Sequence, residues 1–320
     1  MKEARSPGIA RYAWLSMIVL PLSALADMPS TADATRQSLS EAWWTGPMMA
    51  NSAAALPRGH FLIEPYLYDV RSSKVDSFGS LTYMEYGVTD RLMAGIIPTF
   101  SYNRVAGGAS GSGVGDLGVL LQYSLSSFHE GSAMPAMALM VQETLPTGRY
   151  DALRDPLADA MGSGAYTTTV QLNTQTYAWM PNGRILRMRF NVGGSFSRQA
   201  GVDGVSVFGT PPGFHGQAKP GSAFLVNAAW EYSVTQRWVL AFDLAYRHAH
   251  GTRVDGVVVA SDPMARLSYR TRSSASFGVA PAIEYNWSSH LGMLAGVRVF
   301  TGGYRSPTTV TPAVALNYVH

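Results

Sequence analysis

The sequence predicts an all-β chain: a transmembrane antiparallel β-barrel of about 12 strands, preceded by a cleaved N-terminal signal peptide. Three observations predict it. Strand-like segments run mostly 10 to 15 residues, whereas soluble strands average about 5–6 and a tilted membrane-spanning strand needs about 9–11. The connections alternate between tight and long. Within each segment, apolar and polar residues separate by parity, the period of two that sends alternate side chains to opposite faces of a strand.

Composition agrees. Only 14% of the 320 residues are charged, against about 25% in an average soluble domain. Glycine is abundant at 32 residues, and cysteine is absent, which excludes a thiol nucleophile, a disulfide framework and a Cys-ligated metal. After residue 26 no apolar run is long enough for a transmembrane helix.

The chain divides into three parts. Residues 1–26 form the predicted signal peptide: Lys2, Arg5 and Arg11 precede an apolar stretch over residues 12–22, then Ala24 and Ala26 frame a small-x-small cleavage site. Cleavage removes three bases and one acid, so the formal charge falls from +3 to +1. No basic stripe interleaved with aromatics remains, and no nucleic-acid partner is expected. Residues 27–59 form an N-terminal periplasmic or plug segment with no strand period. Trp43, Trp44, Met48 and Met49 stand there among small residues. They are either an apolar gate entering the barrel or part of a disordered leader whose Trp pair rests at the membrane interface. Residues 60–320 form the barrel.

Twelve segments are read as wall strands: 60–71, 78–88, 91–102, 114–125, 134–146, 165–179, 185–197, 222–234, 237–248, 272–287, 291–301 and 310–320. Around residues 113–148 the pattern is clearest. Leu117, Val119, Leu121, Tyr123 and Leu125 share one parity. Asp116, Gly118, Gln122 and Ser124 share the other, with Leu120 as an apolar exception. A six-residue turn, 127–132, precedes the return strand. The connections at 89–91, 180–184, 235–237 and 288–290 are tight. Those at 103–113, 146–164, 198–221 and 249–271 are long and rich in Gly, Ser, Pro and Asp. Short turns on the periplasmic side and long loops outside are the pattern of outer-membrane barrels. The Gly-rich run 107–115 is read as a flexible outer loop, since no Lys-Ser/Thr follows it as in a phosphate loop.

Charges must face the lumen, because Arg or Lys facing lipid at mid-depth costs about 2–4 kcal/mol. The candidate lumen-lining residues are Glu64, Glu85, Gln122, Arg187, Arg189, Asn227, Glu231, Asp243, Arg247, Glu284 and Arg298, with Asp116 and Arg272 beside them. They act either as ion pairs filling a narrow barrel or as a polar permeation path. Trp230, Tyr232, Trp238, Tyr285 and Trp287 lie near the short turns, where an aromatic girdle would sit. No catalytic residue, metal site or cofactor is expected. A rim hydrolase would have to use His248 or His250, and that pair lacks an obvious third metal ligand.

Four motifs stand in order: Gly59-His60-Phe61-Leu62-Ile63-Glu64-Pro65-Tyr66, Glu85-Tyr86-Gly87-Val88-Thr89-Asp90-Arg91, Gly113-Val114-Gly115-Asp116-Leu117 and Leu145-Pro146-Thr147-Gly148. In these the chain resembles the family labelled "putative MetA-pathway of phenol degradation", over roughly residues 45–320. The resemblance implies an outer-membrane transporter of phenolic or other hydrophobic compounds. The function expected is passive passage of small hydrophobic or aromatic solutes through the outer membrane of a Gram-negative bacterium. The alternative is a structural or surface-interaction barrel with a closed lumen. Expected partners are outer-membrane lipid, the solutes themselves and the barrel-assembly machinery during biogenesis. His320 stands where such barrels usually end in an aromatic residue.

Overall fold

The computed structural model describes residues 36–259 and 265–320. The predicted signal peptide, and residues 27–35 after it, lie outside the described residues. Eighteen strands are present among the described residues: β1 (Phe61–Arg71), β2 (Val75–Gly87), β3 (Leu92–Ile97), β4 (Thr99–Val105), β5 (Ser110–Val114), β6 (Leu117–Ser126), β7 (Ala136–Leu145), β8 (Thr167–Trp179), β9 (Ile185–Ser197), β10 (Ala200–Asp203), β11 (Phe214–Lys219), β12 (Ala223–Ser233), β13 (Trp238–Ala249), β14 (Arg253–Val258), β15 (Ala265–Arg270), β16 (Ser274–Asn286), β17 (Leu291–Thr301) and β18 (Thr309–Val319).

Fourteen of these build one antiparallel sheet that closes on itself, because β1 pairs with both β2 and β18. Two pairs of segments are single wall strands with a break. β3 and β4 both pair with β2 and are interrupted at Pro98, which has no N–H to give the ladder. β5 and β6 are interrupted at residues 115–116, where the Gly115 amide donates to Thr99 O across the gap at 2.9 Å. The wall is thus a 12-strand antiparallel barrel. Closure leaves no unpaired sheet edge toward lipid, the condition for spanning a bilayer with strands. At the seam the Phe61 amide donates to His320 O at 3.1 Å, and the two rings lie 5.4 Å apart. The terminal histidine therefore packs where an aromatic was expected.

The parity reading holds strand by strand. In β6, Gly118, Leu120, Gln122 and Ser124 are buried, while Val119, Leu121, Tyr123 and Leu125 are exposed on the outer surface. In β13, Val239, Ala241, Asp243 and Ala245 are buried, and Trp238, Leu240, Phe242 and Leu244 face out. Trp238, Tyr285 and Trp287 cluster beside the short turns, with ring centroids 4.6 and 5.3 Å apart in sequence.

Several expectations are corrected. The connections 198–221 and 249–271 are not plain loops. They contribute a four-stranded sheet, ordered β10-β11-β14-β15, which repeats the wall order β9-β12-β13-β16 above it. Val202, Phe214, Ala218 and Val254 form its buried core. Turn-rich composition hid strands that are only 4 to 6 residues long. Likewise 103–113 is largely a continuing hairpin of β4 and β5 rather than a flexible loop. The turn after β6 spans nine residues, 127–135, not six. Asp116 does not join the lumen cluster. It sits at the break before β6 and accepts from the Gly148 amide (3.0 Å) and from the Ser163 amide and hydroxyl (2.7 and 2.6 Å), tying both ends of the 146–166 connection. Arg272 is exposed between β15 and β16.

Candidate functional site: a strap and a cavity in the lumen

Residues 36–59 run inside the barrel mouth and lumen rather than beside it. The chain enters at the short turns: the Gln37 amide donates to Gly183 O (3.0 Å), and Trp179 Nε1 donates to Gln37 O (2.8 Å). A single 3-10 turn, Leu39–Glu41, follows. Ser38 at its start donates its amide to Glu41 at 3.0 Å, and this contact holds the Glu41 carboxyl below its ordinary value. The Trp43 amide then donates to Gln236 O (3.1 Å), and Trp43 O accepts from Asn286 Nδ2 (3.1 Å).

From Thr45 the segment becomes a strap fixed to one side of the wall. It has no ladder of its own, so its backbone groups need side-chain partners. Glu284 Oε2 accepts from the Thr45 amide at 2.7 Å. Asp243 accepts from two amides, Met48 and Ala50, each at 3.0 Å. Arg189 Nη1 donates to Ala50 O (2.8 Å), and Asn191 Nδ2 to Asn51 O (3.1 Å). Ser52 Oγ donates to Gln175 (3.1 Å), and Gln122 Nε2 donates to Ala54 O (3.2 Å). The strap leaves at Arg58, whose amide donates to Asp90 (3.1 Å) in the turn before β3. Two inward glycines of β17 make room. A Cβ at Gly292 would collide with Thr45 Oγ1, and one at Gly296 with Met48 Sδ.

Charge sets the fixed side. Arg187 Nε donates to Glu231 Oε2 at 2.7 Å, and its Nη2 pairs with Oε1. Arg189 Nε lies 3.1 Å from the same carboxylate. Trp44 lies under the Arg187 guanidinium, 4.4 Å from ring centroid to Cζ. Glu231, Asp243 and Glu284 are fully buried. Three buried carboxylates and two buried guanidinium groups thus share a cluster whose partners include strap amides and the Ala50 carbonyl.

The opposite side of the lumen is open. A cavity of about 280 Å³ lies between strap residues 45–56 and the β1, β2, β3, β6 and β18 wall. Leu62, Tyr66, Tyr68, Leu81, Tyr83, Met93 and Leu120 line it, together with Met48 and Met49 from the strap. Its polar wall groups are Glu64, Glu85, Gln122, Gln142, Arg189, Arg298 and Asn317, the last donating to Glu64 at 3.0 Å. Tyr66 and Tyr83 meet edge to face with centroids 6.1 Å apart. Above it, Arg247 stacks on inward-facing Phe300 at 4.4 Å. Higher still, the 146–166 connection folds over the mouth, where Ala158 O and Ala160 O accept from the inward Asn103 at 3.2 and 2.9 Å.

The predicted residues divide accordingly. Asp243 and Glu284 bond the strap, Arg187 stacks on its Trp44, and Glu231 pairs with Arg187 and Arg189; Glu64, Glu85 and Arg298 line the cavity; Gln122 and Arg189 do both. Asn227 is buried opposite Asn191 in the ladder but bonds no strap residue and does not line the cavity, and Arg247 is exposed near the outer mouth. Of the gate residues, Met48 and Met49 line the cavity. Trp44 sits below it under Arg187, and the Trp43 backbone is bonded to Asn286 and Gln236 at the short turns. The sequence reading missed Tyr66, Tyr68 and Tyr83. Their signal was available: they share the parity of Glu64 and Glu85. Leu120, the exception to its strand's polar face, packs with Met93, Ile97, Leu56 and Tyr83.

The family described as "Putative MetA-pathway of phenol degradation" matches residues 52–318. The chain belongs to this family. A comparison with curated proteins finds no match. Among solved structures, the COG4313 outer membrane channel from Pseudomonas putida F1 superposes with a TM-score of 0.66 at 14% identity, over 85% of this chain and 100% of that one. The NanC porin follows at a TM-score of 0.45 and 8% identity, over 80% of this chain and 98% of that one. The first of these likenesses shows the fold. The barrel is consistent with placement in the outer membrane of a Gram-negative bacterium. Among the described residues no group of three or more His, Asp or Glu could hold a metal, and the His248 and His250 rings, 5.0 Å apart, stand without a third ligand.

Proposed function

We propose that this protein is an outer-membrane channel that passes small hydrophobic or aromatic, phenol-like solutes passively. The observation that carries the reading is the cavity between the strap and the tyrosine-bearing wall. Apolar cavities of about 150 Å³ already admit benzene, so a space of about 280 Å³ takes a substituted single ring. Ligand sites combine apolar walls with a few placed polar groups. Here Glu64, Glu85 and Gln122 stand among Tyr, Leu and Met side chains, suiting a ring that bears one hydroxyl. The family's description names phenol degradation, and the Pseudomonas putida relative by fold is described as an outer membrane channel. Both support the reading.

In this mechanism the fixed strap narrows the periplasmic half of the lumen, and Met48 and Met49 gate the remaining path. Solute moves down its gradient, with the lumen polarity supplied by the residues named above. The test is planar-bilayer recording on residues 27–320, with a small monoaromatic phenol added to one side. A residual ionic current that the phenol blocks, and a block that Tyr66→Ala and Tyr83→Ala abolish, is the expected result. Conductance that no aromatic solute blocks would move the solute class to small polar molecules. A folded barrel impermeable to both ions and phenols would favour a closed, surface-interaction role.

A further inference from the structure

The four-stranded outer sheet has two unlike faces. Its apolar face, with Phe214, Val254 and Tyr269, packs on Phe208, and Tyr269 donates to Phe208 O at 2.8 Å. Phe208 in turn meets Tyr150 of the 146–166 connection, ring centroids 6.5 Å apart. That connection is the one held inside the mouth through Asn103. The apolar face therefore looks toward the barrel axis, and the other face looks away, over the surrounding bilayer.

On that outward face the register aligns three bases. Lys219 of β11 stands opposite Arg253 of β14, and Arg253 stands opposite Arg270 of β15. All three side chains are exposed. Like charges directly opposite on neighbouring strands destabilise a sheet, so such a row needs a reason. Arg253 bonds Asp255 at 2.6 Å, while Lys219 and Arg270 have no acidic partner among the described residues. Asp255 is shared further, accepting from Ser268 at 2.5 Å, so the one carboxylate bonded to the row neutralises Arg253 and leaves the other two bases unpaired among the described residues. The row also sits at the base of the sheet. β12 begins four residues after Lys219, β13 ends four before Arg253, and β16 begins four after Arg270. Just below, the outer ends of these wall strands carry exposed Phe224 and Phe277. Aromatics followed outward by cations is the order of chemistry met on leaving hydrocarbon for charged headgroups.

We infer that Lys219, Arg253 and Arg270 form a binding site for the phosphate groups of outer-leaflet lipid. This rests on the reading of the barrel as an outer-membrane protein. Surface bases near anionic headgroups act roughly additively, at a strength that makes three of them worth on the order of a hundredfold in affinity.

The test uses residues 27–320, refolded in neutral detergent and shown to be folded by heat-modifiable gel mobility. Diphosphorylated lipid A, its dephosphorylated form and inorganic phosphate are each titrated, and bound lipid is counted by native mass spectrometry. The expected result is an adduct with the phosphorylated lipid alone, weakened on the order of a hundredfold in the K219Q/R253Q/R270Q variant. A control, R149Q/R154Q, removes two bases from the connection over the mouth and keeps the adduct. Equal binding by the triple variant, or equal binding of the dephosphorylated lipid, overturns the site. Saturation by inorganic phosphate alone overturns the lipid as its source. Failure of the wild-type barrel to insert into neutral bilayers would instead sink the membrane reading, and is scored separately.

Discussion

Asp243→Ala is the perturbation that most directly tests the strap. Asp243 is fully buried, and its two oxygens accept from the Met48 and Ala50 amides at 3.0 Å each. A hydrogen bond to a charged acceptor contributes about 1.5–3 kcal/mol. Losing both removes about 3–6 kcal/mol of gross interaction, and water entering the vacated space returns part of it. A net loss of about 2–4 kcal/mol in strap docking is expected, or roughly 30- to 1,000-fold in the docked-to-released ratio. Glu284, Arg189 and Asn191 still hold neighbouring strap residues, so brief openings rather than permanent release should follow. In planar bilayers the variant should show discrete conductance steps that the wild type lacks or shows rarely. The Met48 and Ala50 amides should lose hydrogen-exchange protection by the same factor. Asp243→Asn keeps one good acceptor and should give about half the energetic effect. If Asp243→Ala folds normally by gel mobility yet leaves both conductance and exchange unchanged, the strap is not held by this carboxylate and the reasoning fails.

Other outcomes follow from the same geometry. Arg187→Ala leaves Glu231 buried with Arg189 as its remaining guanidinium. Breaking a buried pair costs about 3–5 kcal/mol, to be read from the urea midpoint of the folded gel band. Arg187→Met combined with Glu231→Leu should restore most of that loss. Leu120→Asp places a charge in the apolar part of the cavity, next to Met93 and Ile97, and should abolish block by a monoaromatic phenol while wall-strand exchange stays unchanged. The connection over the mouth should respond to acid. Asp159 accepts from the Asp155 amide at 3.0 Å, and that contact holds its carboxyl below the ordinary value. A lowered carboxylate contributes stability above the unfolded value and loses it as pH falls through the folded one. The connection should therefore stay docked at neutral pH and loosen only below pH about 4. Asp159→Asn should remove that step, with amide exchange over residues 154–160 against pH as the measurement.

The wall was legible because a barrel in lipid obeys one rule at every position. Leu121 must face hydrocarbon and Gln122 must not, so parity alone orients β6, and the same holds for Phe242 and Asp243 in β13. The outer sheet was not legible. β10 is only Ala200–Asp203, too short for more than two periods of alternation, and the Gly and Pro residues around it read as turn. The strap was half legible. Its lack of period and its Trp and Met content marked residues 43–49 as unusual. Its path depends on partners that lie 32 to 243 residues away in sequence, as for Asp90 with Arg58 and Asn286 with Trp43. No local pattern encodes such pairs. The tyrosines were overlooked for another reason. An aromatic in a membrane strand is first assigned to the girdle, and only its shared parity with Glu64 or Glu85 argues otherwise.

The division of the lumen has a physical logic. A strap with no regular structure presents bare amides and carbonyls, and these are costly in a water-poor space unless charged or amide side chains meet them. The wall from β6 to β16 supplies those groups at Gln122, Gln175, Arg189, Asn191, Asp243 and Glu284. Gln175, Asn191, Asp243 and Glu284 are consumed by the strap and lie off the cavity, so they do not set the polarity of the path, whereas Gln122 and Arg189 bond the strap and also face the cavity. Path chemistry then falls mainly to β1 and β2, which give the strap no side-chain hydrogen bond among the described residues and meet it through apolar packing at Leu56 and Tyr83, and whose inward positions run Leu62-Glu64-Tyr66-Tyr68 and Leu81-Tyr83-Glu85. Exchanging a residue on the first wall should change how often the lumen opens. Exchanging one on the second should change what fits when it does. A set of variants in which these two effects were mixed rather than separable would argue against a fixed strap and for a lumen that repacks as a whole.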